Sequence, residues 1–285
     1  MMSTVARAAV GLLVVLAMIA PAGAQKQKPR STAPVPPARR AARPAAPQAA
    51  QPAAVQADRN VPFEPGETLT YDVSWSTYLT AGVATLTVKD KRAAGQSSAY
   101  YIVAEGRPTG ILSSLYSLYY KLDTMLDSRL LLPLRGSVYS QEGSRRRTRV
   151  TVFDHAALRA DYEVRTTTDV KSSVGLARYS QDILSAVYAL RAVPLKENSR
   201  LTMPVCDGGK MYLVQFNIGK IEPVMVGASS ISTFRMTPTI TDTKGAVVGR
   251  PAMLWMSTDG RHLPVKLRVD LAVGSINMLL RDAGR

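Results

Sequence analysis

Along residues 69–76, Leu69, Tyr71, Val73 and Trp75 alternate with Thr70, Asp72, Ser74 and Ser76. A strand turns successive side chains to opposite faces, so this period of two predicts a strand with one face in a core and the other in water. The alternation recurs in Leu263, Val265, Leu267, Val269 and Leu271 against Lys266, Arg268 and Asp270. Tyr212, Val214, Phe216 and Ile218 form a third stripe, and Phe234, Met236 and Ile240 a fourth. Asp207-Gly208 predicts a hairpin joining 200–206 to 210–218, and Asp259-Gly260 another joining 252–258 to 261–271. The reason is that Asp-Gly suits turns whose twist matches antiparallel strands.

Helical period shows in two places. Residues 182–191 carry Ile183, Leu184, Val187, Tyr188 and Leu190 on one broad face, with Ser180 placed to cap the start and Pro194 beyond the end. Residues 109–119 bring Ile111, Leu115 and Leu118 together, with Leu112, Tyr116 and Tyr119 beside them. Many short strands with two short helices do not make the βαβ alternation of a parallel sheet. The expectation is therefore a mainly β protein: a strongly curved antiparallel sheet or incomplete barrel, with one or two short helices against its concave side or over one end.

The first sixty residues read differently. Ala8 to Ala20 is an uncharged apolar run behind Arg7, and Ala22-Gly23-Ala24 has the small-x-small pattern of a signal-peptidase site, so residues 1–24 read as a cleaved secretory signal. The run is too short to cross a hydrocarbon core of about 30 Å, so no transmembrane segment is expected after cleavage. Residues 25–60 are rich in Ala, Pro, Gln and Arg and hold no aromatic residue, a composition that cannot offset the entropy of ordering and reads as a disordered tether. All 12 Tyr, 4 Phe and 2 Trp lie from Phe63 onward, so residues 61–285 are expected to form one β-rich domain. A periplasmic location follows from the signal.

Three stretches carry a resemblance. Phe63-Glu64-Pro65-Gly66-Glu67 precedes Leu69, Tyr71, Val73, Trp75 and Gly82; Asp182-Ile183-Leu184-Ser185-Ala186-Val187-Tyr188-Ala189-Leu190-Arg191 stands in the middle; Ser257-Thr258-Asp259-Gly260-Arg261-His262-Leu263-Pro264-Val265 comes late. In order and spacing they resemble the bacterial exported-protein family catalogued as domain of unknown function 3108, from residue 63 to about 280. The resemblance implies an envelope location and a β-rich fold. It implies no reaction, and so no catalytic residue. From the residues alone, Asp182 near the start of its helix and Arg191 near the end stand where the helix dipole prefers an acid and a base.

Composition removes several chemistries. One Cys and two His leave no disulfide within the chain and no Cys-rich or multi-His metal centre, so no metal and no cofactor are expected. Only His155 and His262 offer a neutral imidazole base, and no nucleophile elbow, zincin helix, P-loop or dinucleotide turn is present. An envelope hydrolase would need a carboxylate pair, with Asp123, Asp127, Asp161 and Glu163 as the acids on strand segments. Cys206 is either a redox thiol or a small packed residue.

The formal charge of +15 first suggests a nucleic-acid binder. Eight of the 36 Lys and Arg but one of the 21 acids precede Val61, so nearly half of that excess belongs to the signal and tether. An exported protein without an interleaved aromatic platform is no partner for nucleic acid. Arg145, Arg147 and Arg149 would share one face of a strand, with Val150 and Val152 on the other. That row either holds phosphates or carboxylates or guards a sheet edge. The uncharged stretch from Pro108 to Tyr120 is either a plug for the open end of the sheet or a segment that lids an apolar cavity or dips into a membrane surface.

The functional expectation is a non-enzymatic envelope protein that binds a lipid or lipid-linked glycan in the concavity of its sheet. Trp75, Tyr116, Tyr119, Tyr120 and Trp255 would make contact, and Arg145, Arg147 and Arg149 would hold an anionic headgroup. The alternative is a structural module that docks on an envelope protein complex through a sheet edge.

Overall fold

The computed structural model describes residues 58–76, 79–95, 97–110, 113, 117–166 and 169–284. The expected signal and nearly all of the tether lie outside them. The strands are β1 (Thr68–Trp75), β2 (Leu79–Ala94), β3 (Ser97–Pro108), β4 (Leu118–Asp127), β5 (Pro133–Glu142), β6 (Arg145–Asp154), β7 (Arg159–Arg165) and β8 (Val170–Gly175). After helix α1 (Ile183–Arg191) follow β9 (Ser199–Asp207), β10 (Lys210–Val226), β11 (Ser229–Asp242), β12 (Val247–Val248), β13 (Ala252–Ser257), β14 (Pro264–Asp270) and β15 (Ser275–Gly284).

All belong to one sheet in the order β8-β7-β6-β5-β4-β3-β2-β1-β15-β14-β13-β11-β10-β9, with β12 paired to β11. Every pairing along this order is antiparallel. The terminal strands β8 and β9 do not pair with each other, so the sheet curves without closing into a barrel. Its two ends still approach: Gly209 in the β9–β10 turn lies against Tyr162 of β7 and Ser172 of β8.

Register divides the sheet into faces. Leu69, Tyr71 and Val73 of β1, Ile102 of β3, Leu122 of β4, Val265 and Val269 of β14 and Ile276 of β15 point inward into one core, which Phe63 and the α1 residues Leu184 and Tyr188 complete. The other side of α1, with Ala186, Ala189 and Leu190, packs on Met203 and Val205 of β9, Tyr212, Val214 and Phe216 of β10 and Met236 of β11. The helix thus lies inside the curve with apolar walls on both sides, and it fills the concavity.

Local chemistry differs from the expectation in three places. Asp182, not Ser180, caps α1: its Oδ1 accepts the Ser185 N–H at 2.6 Å, and Ser185 Oγ accepts the Asp182 N–H at 2.8 Å. Ser180 Oγ instead donates to Ala177 O at 2.7 Å. The turn after β9 uses Gly208 and Gly209 at φ 57° and 72° as its two left-handed residues, leaving Asp207 in the strand opposite Lys210. The β13–β14 connection is a hairpin, but it runs over residues 258–263. Ser257 stitches it, its Oγ donating to Asp259 Oδ1 at 2.5 Å and accepting the Leu263 N–H at 2.7 Å.

The expected helix over 109–119 is corrected at its end. Leu118 and Tyr119 begin β4, where Leu118 and Tyr120 face inward and Tyr119 faces outward, because alternate burial suits this stretch and pairing with β3 and β5 satisfies its backbone. Ile111, Leu112, Leu115 and Tyr116 lie outside the described residues.

A buried ion pair holds α1 in place. Arg191, 1% exposed, donates from its two terminal nitrogens to Glu67 Oε1 at 2.6 Å and Oε2 at 2.9 Å, and Glu67 is 4% exposed. Arg191 also donates to Pro62 O at 3.1 Å and Arg261 O at 3.3 Å, beside the packed rings of Phe63 and Tyr188. Burial works against the guanidinium charge, and Glu67 outweighs it. We predict that Arg191→Met, which strands Glu67 without its bidentate partner, lowers unfolding free energy by about 3–5 kcal/mol in urea titrations. The double substitution Arg191→Met with Glu67→Met should recover most of that loss, because no buried charge then remains.

Candidate functional site

Four strands build the outer face opposite the core. Trp255, Lys266, Leu279 and Asp72 lie in register across β13, β14, β15 and β1, as do Met253, Arg268, Asn277 and Ser74. Their strand neighbours Val265, Ile276, Met278 and Val73 face the core, so the period of two turns these side chains outward. A roof lies over them. Between Ile218 and Ile221 the β10–β11 register shifts, two residues of β10 opposing Arg235 alone, and such a bulge bends its strand. Beyond it, Glu222, Pro223, Val224 and Met225 face Trp255, Lys266, Arg268, Asn277, Leu279 and Ser74 across a recess of about 690 Å³.

Glu222 organises this groove. Its carboxylate accepts the Trp255 indole N–H and has Arg235 at 3.7 Å. Lys266 Nζ stands 4.7 Å from the Trp255 ring centre, a cation–π contact. Arg268 Nε donates to Asp270 Oδ1 at 2.9 Å, and Asn277 Nδ2 donates to Ser76 O at 2.9 Å. The groove therefore joins an aromatic and aliphatic floor to two cations. It can receive an amphipathic molecule whose polar end is anionic.

A second, smaller recess lies inside the curve at the start of α1. Asp182 Oδ2 accepts the Thr124 hydroxyl at 2.6 Å and rests on Gly136, where a Cβ would come within 2.7 Å of it, so only glycine lets β5 pass this close. Burial pushes the Asp182 carboxyl up to about 6, against the Ser185 and Leu184 N–H groups and the Thr124 hydroxyl, which favour its charge. Burial likewise raises Asp207, and Arg149 opposes that shift. Cys206, packed among Phe153, Ala160 and Leu176, has its thiol pushed up to about 12 by burial and by the nearby Asp207 and Asp182. Its burial fits the packed residue. These groups, with Asp123, Arg149 and Tyr162, surround a volume of about 30 Å³. Such a space has room for a water molecule and none for a sugar ring. The two imidazoles serve structure: His155 Nε2 bonds Pro133 O at 2.8 Å and His262 Nδ1 bonds Arg191 O at 2.9 Å.

The residues expected to form one site are separated. Trp255, 6% exposed, lies beneath the outer groove under Lys266 and Glu222. Trp75, half-buried, takes the inward register position opposite Ile276, beside Gly274 at the groove's end. Tyr119 faces outward on another part of the sheet, donating to Glu105 Oε1 at 2.6 Å. Tyr120, Arg147 and Ser140 share an inward row, with Arg145 and Arg149 to either side on β6, and Tyr120 donates to Glu142 Oε1 at 2.5 Å. Arg145, Arg147 and Arg149 do share one face of the strand, and Val152 on the other face is 49% exposed. Tyr116 lies outside the described residues. Glu222, Lys266, Arg268 and Asn277 were not anticipated. Lys266 and Arg268 stood in the sequence as the polar half of a strand stripe, a pattern that does not tell a solvated face from a roofed one.

A family model described as "Protein of unknown function (DUF3108)" matches residues 70–281, and the chain belongs to that family. No match is found among curated proteins. Among solved structures, the chain is similar to a beta-barrel-like protein of the domain of unknown function DUF1849 from Brucella abortus, at 8% identity over 76% of this chain and 97% of that one, with a TM-score of 0.49. It is also similar to a candidate lipoprotein from Parabacteroides distasonis, at 7% identity over 80% of this chain and 100% of that one, with a TM-score of 0.36.

The elevated Asp182 carboxyl has a consequence for stability. The folded state holds this proton up to pH about 6 while the unfolded chain, at its ordinary value of 3.8, has released it. The folded state therefore binds more protons between these values, and this group's contribution to stability falls as pH rises from 4 to 6 and stays lost above. Asp182→Asn keeps a capping side chain but has no such titration. Relative to the parent it should flatten the stability–pH profile across this window, with a change on the order of 2 kcal/mol, read from urea midpoints at pH 4, 5, 6 and 7.

Proposed function

We propose that this chain is an exported, non-enzymatic envelope protein that binds an amphipathic ligand, a lipid or lipid-linked glycan, in the outer groove. The observation that carries this reading is the fixed Trp255 indole, held by Glu222 and covered by Lys266, in a recess of about 690 Å³. That volume lies in the usual range of small-molecule sites, roughly 300–1,000 Å³. Apolar chain would lie on Trp255, Val224, Met225 and Leu279, and an anionic head would meet Lys266 and Arg268. The concave side, expected to bind, is taken up by α1 and Phe63. Export rests on the signal-like residues 1–24 and on the resemblance set out above.

Native mass spectrometry of protein purified from the envelope should show a bound lipid that solvent extraction removes. The stripped protein should then bind short-chain phosphatidylglycerol in calorimetric titrations. Trp255→Ala should weaken that binding about tenfold or more, as loss of a buried aromatic anchor does. The surface substitution Lys266→Glu should weaken it several-fold without affecting folding. A protein that carries no lipid and gives no heat with the short-chain lipid, or a Lys266→Glu variant that binds like the parent, would remove this reading.

A further inference from the structure

The opposite features of the fold gather where the chain enters the domain. Three connections meet at one end of the sheet: residues 128–132 between β4 and β5, residues 155–158 between β6 and β7, and residues 176–182 between β8 and α1. Hydrogen bonds tie them together. His155 Nε2 bonds Pro133 O at 2.8 Å, Gln181 Nε2 donates to Leu131 O at 3.0 Å, and the Leu176 N–H donates to Leu158 O at 2.7 Å.

Each connection exposes a large apolar side chain next to an arginine. Leu130 is 65% exposed beside Arg129, Leu158 is 38% exposed beside Arg159, and Tyr179 is 68% exposed beside Arg178. Two of these sit on strained backbone, Leu158 at φ 50° and Tyr179 at φ 61°, and Leu131 next to Leu130 is at φ 54°. A glycine or asparagine would hold such a conformation with less steric conflict.

The acids at this end are tied up within it by backbone N–H groups, hydroxyls and ion pairs. Asp127 accepts the Arg129 and Leu130 N–H groups, Asp154 accepts the Ala157 N–H, Asp161 pairs with Arg159 at 3.3 Å, and Asp58 is held by Lys91 and Ser128. Among the described residues, neither Arg129 nor Arg178 pairs with a carboxylate. The chain also joins the domain here, the Arg59 N–H donating to Ser128 O at 3.0 Å. The segment before it contributes Lys26, Lys28, Arg30, Arg39, Arg40 and Arg43.

We infer that this end of the sheet is a docking face for an anionic lipid surface. Exposed Leu and Tyr beside Arg match an interface where apolar side chains enter the headgroup layer and guanidiniums meet phosphates. The basic segment entering at the same end adds charge of the same sign, which a membrane rich in acidic lipid attracts and a neutral one does not. The face is distinct from the outer groove and stands whether or not the groove binds a ligand.

The test is co-sedimentation of the exported chain with vesicles rich in phosphatidylglycerol, against matched vesicles of phosphatidylcholine. Binding to the anionic vesicles only, weakening with salt, is expected. Tyr179→Gly combined with Leu158→Gly removes two inserting side chains at positions where glycine relieves the backbone, so the variant should fold at least as stably and partition about tenfold less. Arg178→Glu should cost about fivefold or more. The glycine variant should bind short-chain lipid like the parent, which keeps this face separate from the groove. Equal binding to both vesicle types, or glycine and Arg178→Glu variants that sediment like the parent, would overturn the inference. So would loss of all binding on replacing Arg39, Arg40 and Arg43 with Gln while the face variants still bind, because the segment alone would then be the membrane contact.

Discussion

A guanidinium and a carboxylate withdrawn from water hold this fold together. Arg191 ends α1, Glu67 stands just before β1, and the carbonyls that complete the arginine's bonding come from Pro62 and Arg261. His262 returns a bond to the Arg191 carbonyl, and Arg261 approaches Glu67 Oε2 at 3.4 Å. A buried charge is tolerable only where its partner and its hydrogen bonds are all in place, so the pair couples the positions of three segments far apart in the chain. Those segments are the three stretches that carry the family resemblance. What reads as three separate motifs in one dimension is one bonded cluster in three.

That cluster sets where binding can occur. With Arg191 anchored, α1 lies inside the curved sheet, and Leu184 and Tyr188 on one side and Ala186 and Leu190 on the other occupy space that a barrel would leave for a ligand. The open surface is then the outer one. There the bulged β10–β11 hairpin roofs a strip of sheet that would otherwise be flat and wet, and Glu222 and Lys266 hold Trp255 between them. The end of the sheet where the chain enters has the opposite character, exposed, with apolar side chains held on strained turns.

Period-two stripes, two Asp-Gly signals and only two short helical stretches were enough to read a mainly β protein with a curved antiparallel sheet, because each is a local consequence of backbone geometry and of which residues water excludes. The same patterns left other things open. An uncharged run such as Leu118 to Tyr120 suits a helix face or a strand equally until its backbone partners are known, and pairing with β3 and β5 made it strand. Ser180 and Asp182 are both good caps by type. Asp182 takes the role because Thr124 and Gly136 make room for its carboxylate. Aromatics and arginines far apart in sequence looked like one site, and alternation then sent Trp255 and Tyr119 outward and Tyr120 inward.

The sequence by itself determined the class of fold, the helix and the apolar faces of the strands. These depend on short-range spacing. Tertiary structure alone decided that Glu67 and Arg191 would meet, that the concavity would be filled, and that Lys266 and Arg268 would line a roofed groove. Each of those depends on which distant strand lies beside which, and period two records that a residue has a face without saying what will cover it.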